Sequence, residues 1–185
     1  MNGSRVPAAV ETLVGEMSKP NLKCLFDKGQ DGCFTAKWAI SVLADVRDEG
    51  LSPLQFAALQ FCKGNRLGNH LGCSEGEIRE ATKSALEAAR NGCDRKAMEP
   101  FREKGGLNVS TGSAILTWVI PKQYAIYDTR VQAALRSFGL RAPRPYGAFS
   151  FYCEEYLPIV RNTAVRVKRT PQEVDVWLYN HSGGT

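Results

Sequence analysis

The chain contains no apolar run approaching the ~20 residues that a membrane span requires, so a transmembrane helix is not expected. Its first residues, Met1-Asn2-Gly3-Ser4-Arg5, open no signal-peptide apolar core, and the expected setting is cytoplasmic, or nuclear in a eukaryote. Histidine is scarce. His70 and His181 stand alone, which reads as surface or satisfied core histidine rather than as half of a catalytic pair. The six cysteines, at 24, 33, 62, 73, 93 and 153, form no Cys-x-x-Cys and adjoin no histidine pair. That argues against zinc ligation and leaves small buried hydrophobes as their reading. No stretch alternates apolar and polar residues with the period of two that a half-buried strand needs, and no internal repeat or low-complexity tract is present.

What is there is helical. At 185 residues, with 43% hydrophobic and 23% charged side chains, the chain can bury a real core as one domain or as two lobes sharing a cleft. An apolar helical period runs from Val6 to Met17 and ends before Pro20, and a second from Phe34 to Val46 ends at Gly50. Ser52-Pro53 is a helix start, with Leu54 to Cys62 read as buried. Ser74 with Glu77 is a capping box that opens a helix to about Asn91-Gly92. Asp94 is expected to cap a shorter helix to Lys104, a long helix from about Ala148 to Arg169 is expected to bend at Pro158, and Thr170 with Glu173 caps the last helix. The fold class is all-α. Charge is uneven: residues 121–185 hold nine Lys/Arg against five Asp/Glu, a net of +4, and residues 1–120 hold fifteen against fourteen, a net of +1. Positive charge in the last third suits a phosphate backbone, although a solvated helix face gives the same count.

The densest information lies in Lys104 to Val131. Gly105 and Gly106 can take the positive φ of a tight hairpin, Leu107 is a single apolar plug, and Asn108 is the non-glycine residue that best tolerates the left-handed region. Val109 follows, then Ser110 and Thr111 as N-cap hydroxyls, predicting a helix through Ala114, Ile115, Leu116, Trp118 and Val119 that Pro121 stops. A helix start behind a glycine turn offers backbone N–H groups and the positive end of a macrodipole, a site for one phosphate. The expected phosphate contacts are therefore residues 105–111, with Arg130 beside them. After the loop 120–127, Asp128 stands between the apolar strip Tyr124–Tyr127 and an amphipathic helix, Thr129 to Phe138. The plain reading of Asp128 is the N-cap of that helix.

In order and spacing this stretch resembles the helix-hairpin-helix DNA glycosylases of the endonuclease III superfamily. Gly106-Leu107-Asn108 matches the Gly-hydrophobic-Gly core of the hairpin, Thr111-Gly112-Ser113-Ala114 the helix start, and Asp128-Thr129-Arg130-Val131 the motif of the catalytic aspartate. Ser110 stands where bifunctional members place a lysine nucleophile, and the separation 128 − 110 = 18 is that of the family's lysine and aspartate. The match covers 28 residues, with the hairpin motif at about 94–119 and the acid motif at 124–131. Two departures stand out: Asn108 replaces the second hairpin glycine, and the lysine is absent.

The resemblance implies one glycosylase domain over 1–185 with two helical lobes, a central cleft, and the hairpin at its edge. It implies double-stranded DNA as the partner of a monomer, and Asp128 as the catalytic acid. Ser110 cannot form an imine, so hydrolysis without lyase activity is implied. Only Cys153 lies beyond the acid motif, so the family's four-cysteine iron–sulfur cluster is absent and no cofactor is expected. A flipped base needs aromatic faces, for which Tyr124, Tyr127, Tyr146 and Phe149 are the candidates, with Phe151 and Tyr152 in the same run. Other readings remain beside this one: a glycosylase for hypermodified bases of foreign, phage-like DNA in antiviral defence, a hairpin DNA-binding module without catalysis, and an interaction scaffold.

Overall fold

Serine and threonine caps set the phase of several helices in this all-α chain. The structure, a computed structural model, describes residues 8–18, 46, 49–56, 74–103, 108–145 and 147–181. The hairpin residues 104–107 and Tyr146 lie outside that set, as do the expected loop 19–33, nearly all of the helix 34–46, and the loop 64–72. The first helix, α1 (Ala8–Met17), turns Val10, Leu13 and Met17 into the core. At 52–56 the chain begins a helical turn through reciprocal bonds: Ser52 N–H donates to Gln55 Oε1 at 2.9 Å and Gln55 N–H to Ser52 Oγ at 3.3 Å. Leu54 is 74% exposed whereas Phe56 is buried, which corrects the expectation of burial for the segment's first apolar residue. Residues two apart in a helix face nearly opposite directions, and the phase set at Ser52 favours Phe56.

The helix α2 (Glu75–Arg90) carries the expected capping box: Ser74 N–H donates to Glu77 Oε2 and Glu77 N–H to Ser74 Oγ. Its inner face of Ala81, Ala85, Leu86 and Ala89 is mostly small and packs against α3 (Asp94–Glu103). Asp94 does not cap α3. It is the first helical residue, the Cys93 carbonyl accepts from Ala97 N–H at 2.8 Å, and the Asp94 carboxylate reaches elsewhere. Cys93 is exposed and Cys153 half-buried, so neither is the buried thiol the sequence suggested.

The helix α4 (Val109–Val119) is capped by Asn108 and not by Ser110 or Thr111. Asn108 has extended backbone (φ −88°, ψ 171°), not the left-handed conformation expected, and its Oδ1 accepts from Thr111 N–H at 3.0 Å. The earlier start carries Val109 into the core. Helices α3 and α4 meet closely where Gly112 faces Phe101: a Cβ at Gly112 would lie 2.7 Å from the buried ring. Gly112→Ala gains about 1 kcal/mol of helix propensity but must displace a packed ring at a cost of about 1–3 kcal/mol. A net loss and a Tm lowered by a few degrees are expected in thermal unfolding. Gly15→Ala, on α1 with nothing within 4 Å of the new methyl, should not lower Tm, and an equal drop in both variants would refute the packing argument.

The chain then runs through α5 (Thr129–Ser137), α6 (Phe149–Val167) and α7 (Pro171–His181). Thr170 and Glu173 make the expected reciprocal cap before α7. Where the sequence suggested a bend at Pro158, α6 carries a π-helical turn over Tyr152–Tyr156 just ahead of that proline. Proline has no N–H to give the carbonyl four residues back and its ring presses on that group. Here that carbonyl belongs to Glu154, within the π turn, which absorbs one extra residue and rotates the rest of the helix about its axis. The buried side chains join one core running from Leu13 through Phe101, Ile115 and Tyr127 to Trp177. No strand occurs among the described residues. The expected division into two lobes falls largely on residues outside the described set.

Candidate active site

Asp128 begins α5 as its N-cap. Its Oδ1 accepts from the backbone N–H of both Arg130 and Val131 at 3.0 Å, and Gln132 N–H closes the first helical turn on its carbonyl at 2.8 Å. Two bonds to one oxygen anchor the side chain at the helix start. The residue is half-buried and within reach of solvent.

What sets Asp128 in space is the strap before it, residues 120–127, whose polar backbone is held chiefly by α4 and α6, with Gln172 N–H of α7 reaching Pro121 O at 3.4 Å. Helix α4 contributes Ser113, fully buried, whose Oγ accepts from Tyr127 N–H at 3.0 Å. Helix α6 contributes three donors to consecutive stretches of strap carbonyl: Arg161 Nε to Gln123 O (2.8 Å), Tyr152 OH to Ala125 O (3.0 Å) and Tyr156 OH to Ile126 O (2.7 Å). A buried irregular segment must satisfy its backbone in some such way. At the upstream end Tyr124 OH donates to Asp94 Oδ1 at 2.9 Å, and Asp94 receives the Arg161 guanidinium on both oxygens, at 2.5 and 2.9 Å.

Tyr124 and Tyr127 were expected to border a base pocket. Both are 0% exposed, which corrects that expectation: their rings are core, and their hydroxyls serve Asp94 and the Pro143 carbonyl. Tyr127 packs on Phe151 and Tyr156 at 5.3 and 4.9 Å, and burial pushes its hydroxyl up to about 12 despite nearby Arg136. Phe151 and Tyr152 are likewise buried. Phe149 is half-buried and lines a groove of about 180 Å³ with Arg95, Met98, Arg102 and Cys153. A wider groove between α2 and α3 is lined by Ser84, Glu87, Lys96 and Glu99. Asp128 lines neither.

Of the expected phosphate contacts, Gly105, Gly106 and Leu107 lie outside the described residues. Val109 has a buried side chain, Ser110 is half-buried, and the Thr111 N–H is engaged by Asn108 Oδ1. That engagement corrects the picture of Thr111 offering its amide to a phosphate in this conformation. Arg130 is exposed beside Asp128, its guanidinium 4.5 Å from the centre of the Tyr179 ring, which is 40% exposed. The loop 141–145 is tied back: Gln132 and Arg136 both donate to Ala142 O, and Arg141 pairs with Glu155.

The residues that sequence reasoning missed are Ser113, Tyr156, Arg161 and Asp94. No local pattern marks them, since their partners lie 14 to 67 positions away. Among the described residues no group of three His, Cys, Asp or Glu side chains is arranged to hold a metal ion, and no helix is long and apolar enough to cross a membrane. No family model, no curated protein and no solved structure matches this chain.

Proposed function

We propose that the chain is a monofunctional DNA glycosylase that turns a damaged or modified base out of the duplex and hydrolyses its N-glycosidic bond. The observation that carries this reading is the tie between the strap ahead of Asp128 and α4, the helix that begins at Val109. The acid sits 18 residues past Ser110, at a helix start, on a strap bonded through Ser113 to α4, before which the sequence places the glycines expected to form the hairpin. DNA gripped by the hairpin would thereby meet a carboxylate in fixed register. As the C1′–N bond breaks, its electron pair leaves on the base and positive charge builds on the sugar. A fixed anion stabilises that charge and orients water. The water oxygen bonds to C1′, its proton passes by way of the carboxylate to the departing base, and an abasic site remains.

With serine at 110, no amine stands where a lysine would form an imine. Borohydride is therefore expected to trap no enzyme–DNA adduct, and abasic sites should accumulate uncleaved until alkali or heat is applied. An efficiently trapped complex would refute monofunctionality and direct attention to Lys104 and Lys122.

One observation favours a second reading. Both bonds to Asp128 Oδ1 are those of an ordinary N-cap, as a hairpin DNA-binding module without catalysis would also have. Chromatography of free bases released from DNAs carrying 8-oxoguanine, alkylated purines, uracil mismatches, and hydroxymethylated or glucosylated cytosine decides between them. Release of the common lesions supports a repair enzyme, the preferred reading. Release of only the modified cytosines supports action on foreign DNA, and salt-sensitive binding with no base released supports the module.

A further inference from the structure

Three features of this structure converge on the strap ahead of Asp128. The π turn of α6 is the first. In an uninterrupted α-helix residues 152 and 161, nine positions apart, point in opposite directions. With one extra residue absorbed over Tyr152–Tyr156, Tyr152, Tyr156 and Arg161 all reach the same strap, at the carbonyls of Ala125, Ile126 and Gln123. Second, the two tyrosines are 0% exposed; the Tyr152 bond is buried and the Tyr156 bond part-buried, while the Arg161 bond lies at the surface, and a buried carbonyl deprived of its donor is costly. Third, Ser113 takes the Tyr127 N–H from the opposite element, α4, and itself donates to the Ser110 carbonyl at 3.2 Å. The two bonds nearest the acid, at Ile126 O and Tyr127 N–H, thus come from different helices and bracket the peptide link one residue before Asp128.

We propose that Tyr156 and Ser113 are positioning residues for Asp128, Tyr156 fixing the strap from the π turn and Ser113 coupling it to the hairpin helix. This rests on the glycosylase reading for its catalytic consequence but not for its structural one. Tyr156 suits the task because its hydroxyl stays protonated: burial first, then the charge of Asp175 and the neighbouring Tyr152, with Asp128 behind them, hold its pKa well above the ordinary tyrosine value. A donor that never ionises in the working range fixes the acid equally well at any pH at which the protein is folded. A displacement of even ~1 Å at a reacting group can cost about a hundredfold in rate, so a buried hydroxyl that touches no substrate can carry a large share of the rate.

The test compares Tyr156→Phe with Tyr152→Phe. Both delete one buried hydroxyl and keep the ring, so a purely structural role predicts equal effects. Positioning predicts a gradient, because Ile126 is two residues from the acid and Ala125 is three. For Tyr156→Phe, kcat for base release should fall about 10- to 100-fold with DNA affinity within about threefold, and for Tyr152→Phe kcat should fall less. The independent readout is amide exchange at Arg130 and Val131, whose N–H groups bond to Asp128 Oδ1. Exchange there should quicken in Tyr156→Phe, and in Ser113→Ala, more than in Tyr152→Phe. Unchanged exchange at those amides in Tyr156→Phe, or equal change in both tyrosine variants, overturns the proposal whatever the activity. Graded exchange in a protein whose wild type releases no base from any DNA upholds the positioning and overturns the glycosylase reading instead. Should Tyr156→Phe not fold, Ser113→Ala is read against Ser113→Thr, which restores the acceptor oxygen. Loss in the first and recovery in the second supports the proposal, and equal loss refutes it.

Discussion

On the glycosylase reading, Asp128→Asn should give a protein that melts within a few degrees of the wild type, binds DNA as tightly, and releases base about 10²–10³-fold more slowly. The amide oxygen of asparagine can accept from Arg130 and Val131 N–H as the carboxylate does, and Asn and Asp are near-equal N-caps. Losing the charge at the helix start costs about 0.5 kcal/mol, a Tm change of roughly 1–2 °C in a chain of this size. The transition state responds differently. Charge on the sugar exists only during bond cleavage, so an anion beside it lowers the barrier without tightening the ground state. Removing one group of this kind typically costs about 10²–10³ in kcat. Asp128→Ala completes the comparison: it removes the cap as well, at about 1 kcal/mol, so it should lose both stability and turnover. The measurement is single-turnover base release on a substrate the wild type demonstrably uses, with unfolding curves of all three proteins. Near wild-type turnover in the Asn variant would show that Asp128 is a cap and nothing more.

How far the sequence could be read depends on how local each interaction is. The boxes Ser74/Glu77 and Thr170/Glu173 were legible because both halves lie within four residues and the bonding is reciprocal. The cap at Asp128 was legible for the same reason. At the start of α4 the local rule was ambiguous: Asn108, Ser110 and Thr111 can all cap, and the choice fell to Asn108, whose cap brings Val109 into the core. The tyrosines show the larger limit. A tyrosine can line a pocket or enter a core if its hydroxyl finds a partner. For Tyr124 and Tyr127 those partners, Asp94 and the Pro143 carbonyl, are 30 and 16 positions away. Nothing in the strip itself distinguishes the two fates. Pro158 signalled that α6 would deviate, but whether as a kink or a π turn depends on packing around buried Tyr156, which only the assembled helices settle.

Asp94→Ala should be the most destabilising of the polar substitutions around the strap, although Asp94 stands 34 positions before the candidate acid. Its carboxylate accepts from Tyr124 OH and from both terminal nitrogens of Arg161, while Arg161 Nε holds Gln123 O and the guanidinium lies 5.3 Å from the Tyr124 ring centre. One carboxylate thus joins the start of α3, the head of the strap and the middle of α6. Alanine would leave the Tyr124 hydroxyl without its acceptor beneath a fully buried ring, and the guanidinium without its counter-charge. Breaking a fully buried pair costs about 3–5 kcal/mol. Here the Asp94 and Arg161 side chains keep 20% and 34% exposure, so solvent screening reduces the expected loss to about 2–3 kcal/mol, or a Tm lower by roughly 5–10 °C. Asp94→Asn retains an acceptor for Tyr124 and should lose about half as much. In a double-mutant cycle with Arg161→Met, the losses should fall short of additive by about 1 kcal/mol or more, because methionine leaves no charge to strand. Strict additivity, or a loss under about 0.5 kcal/mol for Asp94→Ala, would mean that water replaces the carboxylate without penalty. The strap would then be held by its bonds to Tyr152, Tyr156, Arg161 and Ser113 without help from Asp94.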